Sequence, residues 1–130
     1  MKLLNIKGKP QSKNVSKYLI KWDKKSRSGI QFNVKKYLKT IWKNDSVYEE
    51  FPVFGSLLKV DFLNSTKKIA IEVNGPQHSS YNPFFHNNSI SNFLKSIKRD
   101  CSKSEWLKLN GYKLIEIDEN NINKINTLLI

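Results

Sequence analysis

Apolar and polar residues alternate on both sides of a short polar break in the middle of the chain. In LKVDFL, Leu58, Val60 and Phe62 share one face, with Lys59 and Asp61 on the other. In KIAIEVN, Ile69, Ile71 and Val73 oppose Ala70, Glu72 and Asn74. A period of two predicts two strands, and the polar residues 64–68 predict the turn of an antiparallel hairpin. Pairing about that turn sets Asp61 roughly opposite Glu72, with Cβ atoms within ~5.5 Å.

On the N-terminal side, Val15, Tyr18, Leu19 and Trp22 recur at helical spacing behind Pro10 and Ser12. They predict an amphipathic helix with Lys13, Lys17, Lys21 and Lys24 outside its stripe. Ser28 followed by Gln31 is a capping-box signature and starts a second helix. There Ile30, Val34, Tyr37, Leu38, Ile41 and Trp42 keep the helical period, Lys35, Lys36, Lys39 and Lys43 stay outside, and Asn44 and Asp45 end it. VYEEFPVF reads as a strand, and Pro52, which lacks a ladder donor, places it at an edge or a bulge. Gly55 and Ser56 turn into the hairpin.

Beyond Val73, Asn74, Gly75 and Pro76 break the strand, and SSYNPFFHNNS reads as a loop. A helix follows from about Ile90, with Ile90, Phe93, Leu94, Ile97 and Cys101 on one stripe and Asp100, Lys103 and Leu107 beside it. Trp106 and Leu109 fit neither stripe, and Gly111 suits the C′ position. In YKLIEID, Tyr112, Leu114 and Glu116 face away from Lys113, Ile115 and Ile117, so both faces are largely apolar and a buried strand is predicted. Residues 119–129 read as a short closing helix. A helix between the third and fourth strands predicts a crossover, hence an α/β fold with a mixed sheet of about four strands flanked by helices.

Composition adds a partner. The 130 residues suffice for one core, and 23 Lys and Arg against 11 Asp and Glu give a net charge of +12. Such an excess favours a polyanion, most often nucleic acid. A lysine-rich, asparagine-rich proteome explains part of the excess but not where the acids sit. The only arginines are Arg27 and Arg99, and lysine grips phosphates as a mobile point charge, so base-specific reading is expected to be sparse. Lys13, Lys17, Lys21, Lys24, Lys35 and Lys39 are the candidate nucleic-acid contacts; the other reading is a solvated helix face. The single Cys101 excludes an internal disulfide and a cysteine zinc cage, which fits a cytoplasmic setting. MKLLNIKGKP shows no signal peptide, and no apolar run reaches the ~20 residues of a membrane span, so no membrane partner is expected.

Two like charges across a hairpin repel, and a divalent cation between Asp61 and Glu72 is the simplest reason to keep them. The plainer reading is an exposed acidic pair bridged by neighbouring lysines. Asp61, then Glu72 and Asn74 at the end of the next strand, set between helix–strand and helix–strand, resembles the PD-(D/E)XK nuclease superfamily. EVNGPQH, the later RDCSK and the ending GYKLIEID resemble its very-short-patch-repair-like branch, which includes phage-type and homing-type members. The resemblance covers about residues 26–118. It divides the chain into a basic N-terminal segment with its helix, 1–25, and a nuclease-like domain, 26–130.

The resemblance implies a restriction-endonuclease-like core and a Mg²⁺- or Mn²⁺-dependent endonuclease that nicks or cleaves duplex DNA, with Asp61 and Glu72 as metal ligands. It also implies a phage-encoded protein in a bacterial host as a setting, and a homodimer where both strands are cut. The sequence departs from the family where a lysine usually follows the glutamate by two residues, because Asn74 stands there. An amide orients a water or a phosphate oxygen but offers neither charge nor a titratable base. His78 as acid or base, Lys103 as the displaced charge and Gln77 as a water-orienting amide are the candidates to take over, with Asp100 orienting His78 or the metal. His86 is a lesser candidate. Gln31 stands where the family often has a helix glutamate facing the site, the alternative being its capping role. Glu49 and Glu50 are adjacent and so are expected on opposite faces, one of them toward the site. The alternative to an enzyme is a catalytically impaired nuclease fold that binds nucleic acid.

Overall fold

The computed structural model describes residues 1–74, 102–118 and 120–125. In chain order its elements are β1 (Lys2–Leu4), β2 (Pro10–Ser12), α1 (Gly29–Trp42), β3 (Val47–Pro52), β4 (Lys59–Asn64), β5 (Ile69–Val73), α2 (residues 102–109) and β6 (Lys113–Ile117). β1 and β2 make a small hairpin of their own; the other four strands form one sheet in the order β3-β4-β5-β6. β3, β4 and β5 are antiparallel, whereas β6 runs parallel to β5. The parallel pair follows from the intervening helix, because a parallel return needs a crossover rather than a tight turn. The chain is therefore α/β with a four-stranded mixed sheet, as the order of its periodicities predicts.

The strands and turns fall where alternation places them. Phe62 pairs with Ile71 and Asn64 with Ile69, so residues 65–68 make the turn, and Lys68 takes φ 58° within it. β3, which ends on Pro52, is an edge strand. Gly55 turns toward β4 with φ 84°, and a Cβ there would lie 3.3 Å from Asn5 Cβ and Ile6 Cγ2. That close approach, with Ile6 N–H donating to Phe54 O at 2.8 Å, docks the N-terminal hairpin on the sheet.

The sheet carries apolar clusters that involve different helices. Val34, Leu38 and Trp42 of α1 pack with Phe62, Ile71, Ile115 and Ile117. Trp106 and Leu107 of α2 pack with Val15, Phe51, Leu63, Ala70 and Tyr112. Trp106, which fits no stripe in the sequence, is 1% exposed because the N-terminal hairpin supplies its indole with an acceptor, Leu4 O at 2.8 Å. α2 closes with Tyr112 N–H bonding Leu107 O and Gly111 N–H bonding Lys108 O, the two bonds of a Schellman cap, with Gly111 at φ 78°. Val60 and Phe62 fall in different clusters, so strict alternation slips between them, at Asp61.

Two sequence expectations are corrected. No α-helix forms around Val15, Tyr18, Leu19 and Trp22; Ser16–Tyr18 is a single 3-10 turn. Leu19 then bridges to Tyr48, and Ile20 N–H donates to Val47 O at 3.0 Å, so donors that a helix would use cover the open edge of β3. α1 forms where predicted, and Ser28 Oγ accepts from Gln31 N–H at 3.2 Å, but its buried stripe is Gln31, Val34, Lys35, Leu38 and Trp42. Tyr37 and Ile41 are 42% and 40% exposed, and Lys35 is inside instead of outside. Of the closing helix, the described residues hold a 3-10 turn, Ile122–Lys124, with Ile125 helical after it; the rest lies outside the described residues.

Candidate active site

The pair that the hairpin predicts is formed. Continuing the Phe62–Ile71 register by one residue sets Asp61 across from Glu72. The ladder gives way there to a side chain, since Val73 N–H donates to Asp61 Oδ2 at 2.8 Å. That bond fixes the Asp61 carboxylate, which is 6% exposed, at the β4–β5 seam. Glu72 shares its side of β5 with Ala70, which packs in the α2 cluster, and from α2 Lys103 Nζ reaches to 3.4 Å of Glu72 Oε1. This is an ion-pair contact without a hydrogen bond, and Glu72 Oε1 is buried with no hydrogen-bond partner among the described residues.

Electrostatics follow from that geometry. Burial first, and then the Asp61 charge, push the Glu72 carboxyl up to about 8, against the opposing pull of Lys103. Asp61 is also raised, chiefly by burial, with the Val73 N–H and Lys103 holding it back and Glu50 adding to the rise. Two buried acids this close resist ionising together, so Glu72 keeps its proton at pH values where a free glutamate has lost it. Arg27 stands over the pair's outer side, with guanidinium nitrogens 3.9 Å from Asp61 Oδ1 and 3.9 Å from Glu50 Oε1. Neither distance is a hydrogen bond, and the Arg27 side chain is 74% exposed.

Glu49 and Glu50 do not diverge as adjacent strand residues are expected to. Gln31 Nε2 donates to both, to Glu49 Oε2 at 3.0 Å and Glu50 Oε1 at 3.1 Å. The cause is local: Glu50 takes φ 53°, which re-aims its side chain within the strand. Both readings of Gln31 thus hold in part, its backbone N–H serving the cap and its side chain gathering the acids of β3. Glu49 also takes Lys35 Nζ at 2.8 Å and Ser26 Oγ at 2.6 Å.

Asn74 donates its backbone N–H to Ile117 O at 2.8 Å, which extends the β5–β6 pairing to the end of the site strand. Gln77, His78, His86 and Asp100 lie outside the described residues, as does Cys101. Glu116, unnoticed in the sequence, stands beside Glu72 in the parallel register with an exposed side chain. Arg27 and the Glu50 turn were also missed, because neither belongs to a periodic pattern.

The candidate nucleic-acid lysines separate. Lys35 is 1% exposed and bound to Glu49 and to Lys24 O, so it is not available to a phosphate, a correction that follows from its place on the inner stripe of α1. Lys39 is ion-paired with Asp23 at 2.7 Å, and Lys13 lies over the Phe54 ring. Lys17, Lys21 and Lys24 line one cleft of about 420 Å³ that Glu49 and Glu50 border.

Asp61 and Glu72 together offer carboxylate oxygens alone, one of them orphaned, which is the donor set of a hard divalent cation such as Mg²⁺ or Mn²⁺. Among the described residues no three His, Cys, Asp or Glu side chains gather closely enough to cage a metal by themselves. Nor, among them, is any helix long and apolar enough to cross a membrane.

No protein-family model and no solved structure matches the chain. Over 66 residues it is 36% identical to Uncharacterized protein 033L of Invertebrate iridescent virus 3, a match that covers 51% of this chain and 34% of that protein. It is likewise 36% identical over 66 residues to Uncharacterized protein 094L of Frog virus 3 (isolate Goorha), covering 51% of this chain and 43% of that one. The chain thus matches stretches of viral proteins while spanning less than half the length of either.

Proposed function

We propose that the chain is a metal-dependent DNA endonuclease that hydrolyses phosphodiester bonds, with Asp61 and Glu72 as the ion's ligands. The observation that carries this reading is the Asp61–Glu72 pair itself, two withdrawn carboxylates across a hairpin, one oxygen of which has no hydrogen-bond partner among the described residues. A bound Mg²⁺ or Mn²⁺ would supply an activated water and neutralise charge building on the phosphate. The chain's own residues prepare the place. Val73 N–H orients Asp61, and Glu72 would hold the ion as a carboxylate, its proton passing to solvent. Lys103, at 3.4 Å from Glu72, brings the positive charge that Asn74 does not. With one such site per chain, cutting both strands takes two copies, so a homodimer on duplex DNA belongs to this reading.

Supercoiled plasmid incubated with Mg²⁺ or Mn²⁺ tests it. Nicked or linear product is expected from the wild-type chain, and none from Asp61→Ala or Glu72→Ala. No product with either ion, or cleavage undiminished by both substitutions, would sink the proposal.

Asn74 favours a second reading, a nuclease-like fold that binds nucleic acid without cutting it, because a proton kept on Glu72 would by itself relieve its repulsion with Asp61. Calorimetry separates the two. The enzyme binds a divalent ion in a Glu72-dependent way, whereas the binder gives no such heat.

A further inference from the structure

Four cations fall within the seven residues Lys21, Trp22, Asp23, Lys24, Lys25, Ser26 and Arg27. A lysine-rich surface turn needs no interior support, yet this one is moored. The buried Lys35 ammonium donates to Lys24 O at 2.6 Å and to Glu49 Oε1 at 2.8 Å. Ser26 Oγ donates to the other oxygen of the same carboxylate at 2.6 Å. A withdrawn ion pair thus fixes both the backbone and a side chain of the turn to β3, which holds its lysines in one place and limits the entropy lost when they grip an anion.

The moored turn walls the cleft of about 420 Å³, which lies in the roughly 300–1,000 Å³ range of ligand-sized pockets. Lys59 lines it from the start of β4. Lys21, Lys24, Lys25 and Lys59 are exposed and ion-paired to no other described residue. Arg27 lines the same cleft and also stands 3.9 Å from Asp61, so one side chain links the cleft to the acid pair, which lies outside its lining.

We propose that this cleft docks the sugar-phosphate backbone of a nucleic-acid strand, gripped without regard to sequence by Lys21, Lys24, Lys25 and Lys59 and led past Arg27 toward Asp61. The reading rests on the proposed function for where the strand leads, but the docking itself requires no cleavage. Lysine in place of arginine argues for phosphate contact over base reading. Concavity argues against an anionic membrane, which a flat face with inserting apolar residues would suit better.

Fluorescence anisotropy with the full chain tests this, using labelled single-stranded and duplex DNA of about 20 nucleotides in EDTA, from about 50 to 300 mM NaCl. The variant Lys21→Ala/Lys24→Ala/Lys25→Ala is compared with Lys108→Ala/Lys113→Ala/Lys124→Ala, which removes the same charge from exposed lysines that do not line the cleft. The cleft variant is expected to lose ~30-fold or more in affinity and to flatten the slope of log K against log salt by about 2, while the control loses less than ~3-fold. Equal losses in the two variants would overturn the proposal, since affinity would then follow net charge and not the cleft. Unchanged binding by the cleft variant would overturn it as well, as would a wild-type chain that binds phosphatidylserine vesicles but no DNA. Because no divalent ion is present, the docking result stands apart from the plasmid assay, in which the enzyme reading can fail alone.

Discussion

Glu49 on β3 and Glu72 on β5 are both withdrawn from water, with side chains 15% and 13% exposed. Their surroundings differ. Glu49 accepts from Lys35, Ser26 and Gln31, at 2.6 to 3.0 Å, so both its oxygens are engaged and its charge is balanced by a buried ammonium. Among the described residues Glu72 has one cation, at 3.4 Å, another carboxylate across the hairpin and an oxygen without a hydrogen bond. A carboxylate that serves only the fold collects donors, whereas one left short of donors beside a like charge is held ready for something that arrives later. On the proposed reading the first acid serves stability and the second function.

The largest expected effect is on activity. Asp61→Ala or Glu72→Ala should lower plasmid cleavage by about 10³-fold or more, the loss of several kcal/mol of charge stabilisation on the phosphate. Next comes the structural acid. Glu49→Ala strands the Lys35 ammonium in the interior and should cost about 3–5 kcal/mol in denaturant melts. Lys35→Met/Glu49→Leu should restore most of that loss, because neither charge is then left alone.

Glu72 responds to pH with the opposite sign from an ion-paired carboxylate. Its folded value, about 8, stands above its ordinary 4.5, so between those values the folded chain holds a proton that the unfolded chain has released. The stability it contributes is complete below 4.5 and is lost as pH rises through about 8, a swing on the order of a few kcal/mol. Glu72→Gln cannot titrate, so it should flatten that slope and raise the melting temperature at the alkaline end by a few degrees while abolishing cleavage. If instead Glu72→Gln destabilises the chain as Glu49→Ala does, the comparison fails. The smallest effect belongs to Lys103→Met, which should slow cleavage by about 10- to 100-fold while changing stability by only about 1 kcal/mol. It should also push Glu72 higher still, since Lys103 opposes the rise.

Much of this arrangement was legible in the residues. Alternation fixed the hairpin closely enough to pair Asp61 with Glu72, and the helix before β6 made the last strand parallel. Lys103 reaches Glu72, as its place beside the apolar stripe of its helix suggests. What escaped depends on tertiary partners. Val15, Tyr18, Leu19 and Trp22 have helical spacing, but the free edge of β3 offers their backbone better bonds than a short helix would. The charge of Lys35 points outward, although its position, one residue after Val34 and four after Gln31, faces inward; Glu49 and Lys24 O, neither adjacent to it in sequence, make that tolerable. The common side of Glu49 and Glu50 rests on a positive φ that no residue type announced.

On the proposed reading, burial and the Asp61 charge keep Glu72 protonated near neutral pH until a cation relieves it. The most direct measurement is the titration of its side-chain carboxyl by carbon-detected NMR, with and without Mg²⁺. A midpoint near 8 is expected in the absence of the ion, falling by several units when Mg²⁺ is added. A midpoint near the ordinary 4.5 that Mg²⁺ leaves in place would contradict it.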